Sequence, residues 1–298
     1  MNSKISHIFP ALLPTTIHEI VFTNRILTGS GCWAIKQNQI EKIIPLNVSG
    51  VVSKTCTFET KEGNPKPNYI DMDSIRFNCK GLCNYGYEYY KQIFVLFENS
   101  KKNYVLSVYS NDVQLEYILN DYDQFVDKKV IVEINVSCPN INDRINGYHL
   151  VDIGNMLEKI KKLNLKNIQI CLKLPPYFEK EKIIDISQLL NKYTDIVKFV
   201  TVCNSIPCFY GNLSKEFCGI SGNINKYISI GNIKMFRKIL SDDIAIIGSG
   251  GIQNIDDVNE YLNSGAQLVN IASGFYDKDN DCINVEKVKR EFGWSCFF

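Results

Sequence analysis

Along the chain, short runs of aliphatic and β-branched residues alternate with longer stretches whose apolar positions recur every three or four residues. Eight runs read as strands: Ile26–Thr28, Gly50–Thr57, Tyr104–Tyr109, Val130–Ser137, Ile168–Leu174, Phe199–Asn204, Ala245–Gly251 and Leu268–Ser273. Between them, Val151–Leu163, Ile183–Tyr193, Ile233–Leu240 and Ile255–Ser264 carry the spacing of amphipathic helices. Strand alternating with helix implies a parallel sheet, and eight such units close most naturally into an α/β fold of the (β/α)8 TIM-barrel type. Two connections, Phe58 to about Tyr90 and Ser205 to about Ile230, are too long for turns. Both follow strands, which puts these excursions on the C-terminal rim, where barrels of this kind keep their active sites.

Size and composition add bounds. At 298 residues and 45% hydrophobic, the chain is expected to form one domain spanning residues 1–298. A net charge of +1 provides no global field for nucleic acid or an anionic membrane. The first residues, MNSKISHIFPALLPTT, hold one short apolar stretch broken by prolines, too short for a signal sequence or a bilayer span. Eleven cysteines in such a chain read as reduced thiols, and the expected location is cytoplasmic. Cys79 and Cys83 lack a second ligand pair at zinc spacing, and His7, His18 and His149 are scattered, so no metal is expected. A nicotinamide-type GxGxxG turn is also missing.

The chemistry concentrates where strands end. Glu133-Ile134-Asn135-Val136-Ser137 runs into Cys138-Pro139-Asn140, placing a cysteine on the rim. A thiol with a free pKa of about 8.5 can act there as base or nucleophile, the plain alternative being a buried structural cysteine. Lys54 and Lys173 each end a strand, and Lys173 stands among the apolar neighbours Cys171, Leu172 and Leu174, where a cation is costly unless used. Gly248-Ser249-Gly250-Gly251 and Ala272-Ser273-Gly274 follow the seventh and eighth strands, the positions from which barrels bind phosphate through backbone N–H groups.

These segments resemble the class 1 dihydroorotate dehydrogenases, and in particular the class 1A branch. The resemblance runs from about Leu27 to Phe275 and rests on Ser53-Lys54, Glu62-Gly63-Asn64-Pro65, Asn78 with Gly81-Leu82, Asn135 to Asn140, Lys173 to Phe178, Asn204-Ser205, Gly248 to Ile252 and Ala272-Ser273. It implies an FMN enzyme that oxidises (S)-dihydroorotate to orotate in pyrimidine synthesis. Cys138 would be the base at C5, and hydride would pass from C6 to flavin N5. Lys54 would reach both flavin and substrate, and Lys173 would lie by the flavin pyrimidine ring, where a cation favours the reduced anion. Asn78, Gly81, Leu82, Asn135, Asn140, Asn204 and Ser205 would hold the substrate, whose alternating carbonyl and N–H edges suit carboxamides. Thr28, Gly29, Ser30, Gly31, Asn135, Gly219, Gly222, Gly250, Gly251, Ala272 and Ser273 would hold the cofactor. The branch further implies a homodimer, reoxidised by fumarate; a class 1B protein would need an iron–sulfur partner that passes electrons to NAD. Class 2 relatives differ in their serine base and their membrane-associating N-terminal helix.

Several positions depart from the branch. Lys80 and Cys83 replace its usual methionine and proline, Asn68 an arginine, and Ala272 a glycine, while Ile141 to His149 lacks the usual prolines. Two alternatives follow: a flavin barrel acting on another dihydropyrimidine or on a tRNA uridine, and a flavin-binding relative without turnover. A uridine in RNA would call for a basic extension, which the chain lacks.

Overall fold

The computed structural model describes residues 10–31, 35–109, 111–137, 147–277 and 282–292. Eight parallel strands form a closed barrel: β1 (Ile26–Thr28), β2 (Gly50–Val52), β3 (Asn103–Val108), β4 (Val130–Asn135), β5 (Ile168–Lys173), β6 (Val197–Val202), β7 (Ala245–Ser249) and β8 (Leu268–Ile271). They neighbour one another in chain order, and β8 pairs with β1 through Asn270↔Leu27. A helix follows each strand: α1 (Gln37–Glu41), α2 (Tyr87–Ile93), α3 (Asp112–Phe125), α4 (Leu150–Lys162), α5 (Lys180–Leu190), α6 (Asn225–Arg237), α7 (Ile255–Asn263) and α8 (Val285–Phe292).

Strand alternation sorts the side chains into two cores. Leu27, Val52, Val105, Ile131, Cys171, Phe199, Ala245 and Leu268 fill the barrel, while Ile26, Val51, Leu106, Val132, Ile170 and Val200 face the helices. The interior continues into a hairpin, Thr15–Ile17 with Ile20–Phe22, whose Ile20 and Phe22 plug the N-terminal end. Asn103 and Gln169, near the starts of β3 and β5, pin it by donating to the carbonyls of Val21 and His18.

The two long excursions are not irregular. Each contains a hairpin, Tyr69–Met72 with Ile75–Asn78 and Ile206–Phe209 with Phe217–Gly222, and the two join into one four-stranded antiparallel sheet across the rim. Most barrel strands are shorter than the apolar runs suggest, because residues near their ends turn to line the rim. Lys54 and Thr55, between the still-paired Ser53 and Cys56, and Gly250 and Gly251 are examples. Helix α6 begins eight residues before the expected Ile233, since the buried positions of its first turns include Asn225, Ser229 and Asn232 beside Ile230, which blurs the apolar pattern. Their polarity serves loops: Ser229 donates to the Val202 carbonyl, and Asn232 pairs with both backbone groups of Tyr177.

Candidate active site

One cleft opens at the barrel's C-terminal end, lined by residues from the strand ends and from the rim sheet. Its described lining contains four cations, Lys54, Arg76, Lys80 and Lys173, and no Asp or Glu. Lys54 is 8% exposed and Lys173 7%. Burying like charges together without an acidic lining is costly unless an anionic ligand supplies the opposite charge.

On one side stands a linked group of amides and hydroxyls. Asn204 Nδ2 donates to Ser137 Oγ at 2.9 Å and to Asn135 Oδ1 at 3.3 Å, and Ser137 Oγ donates to the Lys173 carbonyl at 3.0 Å. Asn135 Nδ2 reaches Thr55 Oγ1 at 3.3 Å. Below them Glu133, 1% exposed, accepts from Ser107 Oγ and Thr201 Oγ1, both at 2.9 Å. A carboxylate only accepts, so it orients the row above it: Ser30 to Thr55 to Ser107, each hydroxyl pair 2.9 Å apart, with the last hydroxyl donating to Glu133. The side chain of Ser30, predicted to touch a cofactor, is fixed in this way.

The rim sheet supplies the opposite wall. Asn78 Nδ2 donates to the Gly219 carbonyl at 3.2 Å, and a Cβ on Gly219 would stand 2.5 Å from Ser205 Oγ, so a bare glycine makes room for that hydroxyl. Gly81 and Leu82, both at positive φ, turn the chain after Asn78, and Leu82 lines the cleft. Lys80 has its ammonium 5.2 Å from the Tyr69 ring centre and 6.0 Å from that of Tyr276, a cation–π position. Asn68, where an arginine is usual in the resembled branch, donates to the Asn64 carbonyl.

At the third side, Gly222, Gly250 and Gly251, all at positive φ, meet Ala272, Ser273 and Gly274. Side chains are excluded here by contact: a Cβ at Gly274 would lie 2.1 Å from the Ile252 carbonyl oxygen, and one at Gly251 3.0 Å from that of Gly222. Tyr261 holds the Gly250 carbonyl through its hydroxyl. Ser30 and Gly31 line the cleft, whereas Thr28 and Gly29 sit behind it at the end of β1, and Gly219 lies within a strand, with Gly222 at its end.

Cys138 and Asn140 lie outside the described residues, as does most of the 141–149 loop. Another cysteine, Cys203, does line the cleft, but burial pushes its thiol up to about 12, so it keeps its proton at neutral pH. Sequence reading missed Thr55, Arg76, Asn225 and Asn270, which also line it. Asn225 Oδ1 and Asn270 Oδ1 are buried acceptors without a protein partner. Asn225 opens a helix whose start the apolar pattern hides, and Asn270 interrupts the strand run Leu268-Val269-Asn270-Ile271, a signal that could have been used.

A protein-family pattern described as "Dihydroorotate dehydrogenase" matches residues 12–293, nearly the whole chain. The chain belongs to the dihydroorotate dehydrogenase family. Among curated relatives, the "Dihydroorotate dehydrogenase A (fumarate)" of Lactococcus lactis subsp. cremoris is 28% identical over 286 residues, covering 89% of this chain and 88% of its own. A Streptococcus agalactiae protein provisionally given the same name is 29% identical over 296 residues, covering 94% of this chain and 92% of its own. The fold matches a crystal structure of DHODH from Eimeria tenella, in complex with ferulenol, at a TM-score of 0.75 and 18% identity, over 98% of this chain and 86% of that one. Among the described residues, no helix is long and apolar enough to cross a membrane.

Proposed function

We propose that this chain is an FMN-dependent dihydroorotate dehydrogenase that oxidises (S)-dihydroorotate to orotate in pyrimidine synthesis, with fumarate as the second substrate and a homodimer as the working form. The observation that carries this reading is the cleft's chemistry: four cations without a lining carboxylate, between a carboxamide wall and a glycine-rich turn, in a member of this family. Both ligands are anions, one a phosphate monoester and the other a carboxylate.

The residues present fit FMN. Gly250, Gly251, Ala272 and Ser273 are small and line the cleft, which suits close approach of a phosphate to the backbone. The unpartnered Asn225 and Asn270 oxygens suit hydroxyl or N–H donors, and Lys173 suits the electron-rich end of the ring. When bound, FMN supplies the acceptor for the hydride lost from C6.

The protein's own part is binding, orientation and proton transfer. Asn78, Asn135, Asn204 and Ser205, with Asn140 from the adjoining loop, match the substrate's ring edges, and Lys54 pairs with its charge. Cys138 removes the C5 proton; Cys203 is too basic a thiolate to be formed for that task. The test is anaerobic mixing of the purified protein with dihydroorotate. The flavin absorbance is expected to bleach, to stay unchanged with dihydrouracil, and to return on adding fumarate. A yellow protein indifferent to dihydroorotate would refute the activity, and return with NAD alone would refute fumarate as acceptor.

A further inference from the structure

The cleft holds two cations that the reading above does not use: Lys80, which lies over the Tyr69 and Tyr276 rings, and Arg76. Arg76 lies on the rim-sheet strand Ile75–Asn78 and is 8% exposed. Its Nε donates to Asp71 Oδ2 at 2.9 Å, which fixes the plane of the guanidinium, yet its Nη1 is buried without a protein partner. A buried charged N–H without an acceptor is expensive, and arginine cannot escape by losing its proton.

Strand geometry locates this nitrogen's neighbourhood. Residues two apart share a face, so Arg76 faces the cleft with Asn78, displaced from it by about 7 Å. The displacement runs toward the glycine turns: Arg76 pairs with Ser221, next to Gly222, whose carbonyl oxygen a Gly251 Cβ would approach to 3.0 Å. A second cation adjoins from α8, where burial and then the Arg76 charge hold the Lys287 ammonium below its ordinary pKa. An unpartnered guanidinium N–H beside glycine turns that exclude side chains makes a place for an anion.

We propose that Arg76 binds the terminal phosphate of the flavin through its unpartnered Nη1, adding a charged side-chain contact to the backbone contacts of the Gly250–Gly251 and Ala272–Ser273 turns. This rests on the FMN reading above. It is tested by the preference of the full-length protein for FMN over riboflavin, which lacks the phosphate, with both affinities taken from flavin fluorescence titration of the flavin-stripped chain. Arg76→Gln is expected to reduce that preference by roughly 10–100-fold, the range of one charged hydrogen bond, while riboflavin affinity stays constant. Arg76→Lys, which keeps charge but loses the fork, should fall between Gln and wild type. A preference unchanged in both variants overturns the proposal, as does a selective loss of orotate affinity, which would assign Arg76 to the substrate. A general loss of packing would weaken both flavins alike and would also count against it. The FMN reading fails differently: wild-type protein would then bind neither flavin.

Discussion

Cys138 and Cys203 differ in what their surroundings allow. Cys203 is buried and its thiol is pushed up to about 12, so at neutral pH it is protonated whatever the substrate does. Cys203→Ala should therefore leave the pH profile of flavin reduction unchanged. Cys138→Ala should retain FMN and slow reduction by roughly 10²–10⁴-fold, the usual worth of a positioned base. Stopped-flow bleaching by dihydroorotate from pH 6 to pH 10 separates them, and wild-type kinetics in Cys138→Ala would remove that thiol from the mechanism. Gly219 carries a finer expectation. A methyl group 2.5 Å from Ser205 Oγ must rotate the hydroxyl away, so Gly219→Ala should raise KM for dihydroorotate by up to about 10-fold with full flavin content. Equal loss of flavin would mean that the rim strand itself had moved. These residues differ in legibility. Lys54, Lys173 and the glycine turns stand at strand ends in the linear pattern, while Arg76 reads as an ordinary strand residue until its neighbour Asp71 and its idle Nη1 are seen.

At the level of elements, the eight barrel strands were readable because each is a β-branched run bounded by polar residues, and most helices because one face is apolar. The rim sheet was not. Its edge strands Tyr69–Met72 and Ile206–Phe209 are only part-buried or exposed, so no alternation of buried and exposed positions marks them, and the pairing of its inner strands, Ile75–Asn78 with Phe217–Gly222, joins segments about 140 residues apart. Helix α6 escaped in part for the opposite reason, the buried positions of its first turns being partly polar to serve loop carbonyls. The N-terminal hairpin was hidden by its brevity, three residues per strand, although its Phe22 is wholly buried under the barrel. That plug is far from the cleft, at the opposite end of the cylinder. Phe22→Ala should cost about 3–5 kcal/mol in denaturant unfolding, through lost transfer energy and the void beneath Val52 and Val105. It should leave the wild-type ratio of flavin to protein, and a loss of flavin would show that the hairpin also shapes the rim.

Over the whole molecule, charge is nearly balanced, with 33 basic and 32 acidic side chains, but it is not evenly distributed. Four of the cations line one cleft whose described lining has no carboxylate; Arg76 is paired with Asp71 outside that lining, and the buried acid Glu133 is occupied by Ser107 and Thr201. Their mutual repulsion opposes folding when the cleft is empty of anions and is relieved when one binds. A ligand that binds only the folded state at 100 times its Kd adds about 2.7 kcal/mol. For a chain of this size that amounts to several degrees of thermal midpoint. Stripping the flavin should therefore lower the midpoint in calorimetry, and FMN should restore it in a concentration-dependent way. Orotate added to the FMN-loaded protein should raise it further, since Lys54 and the carboxamide wall then gain their own partner. High salt should narrow the gap between stripped and loaded protein by screening the exposed part of the repulsion. A midpoint indifferent to FMN would mean that these four charges are already compensated within the chain, and would remove the electrostatic ground for an anionic ligand.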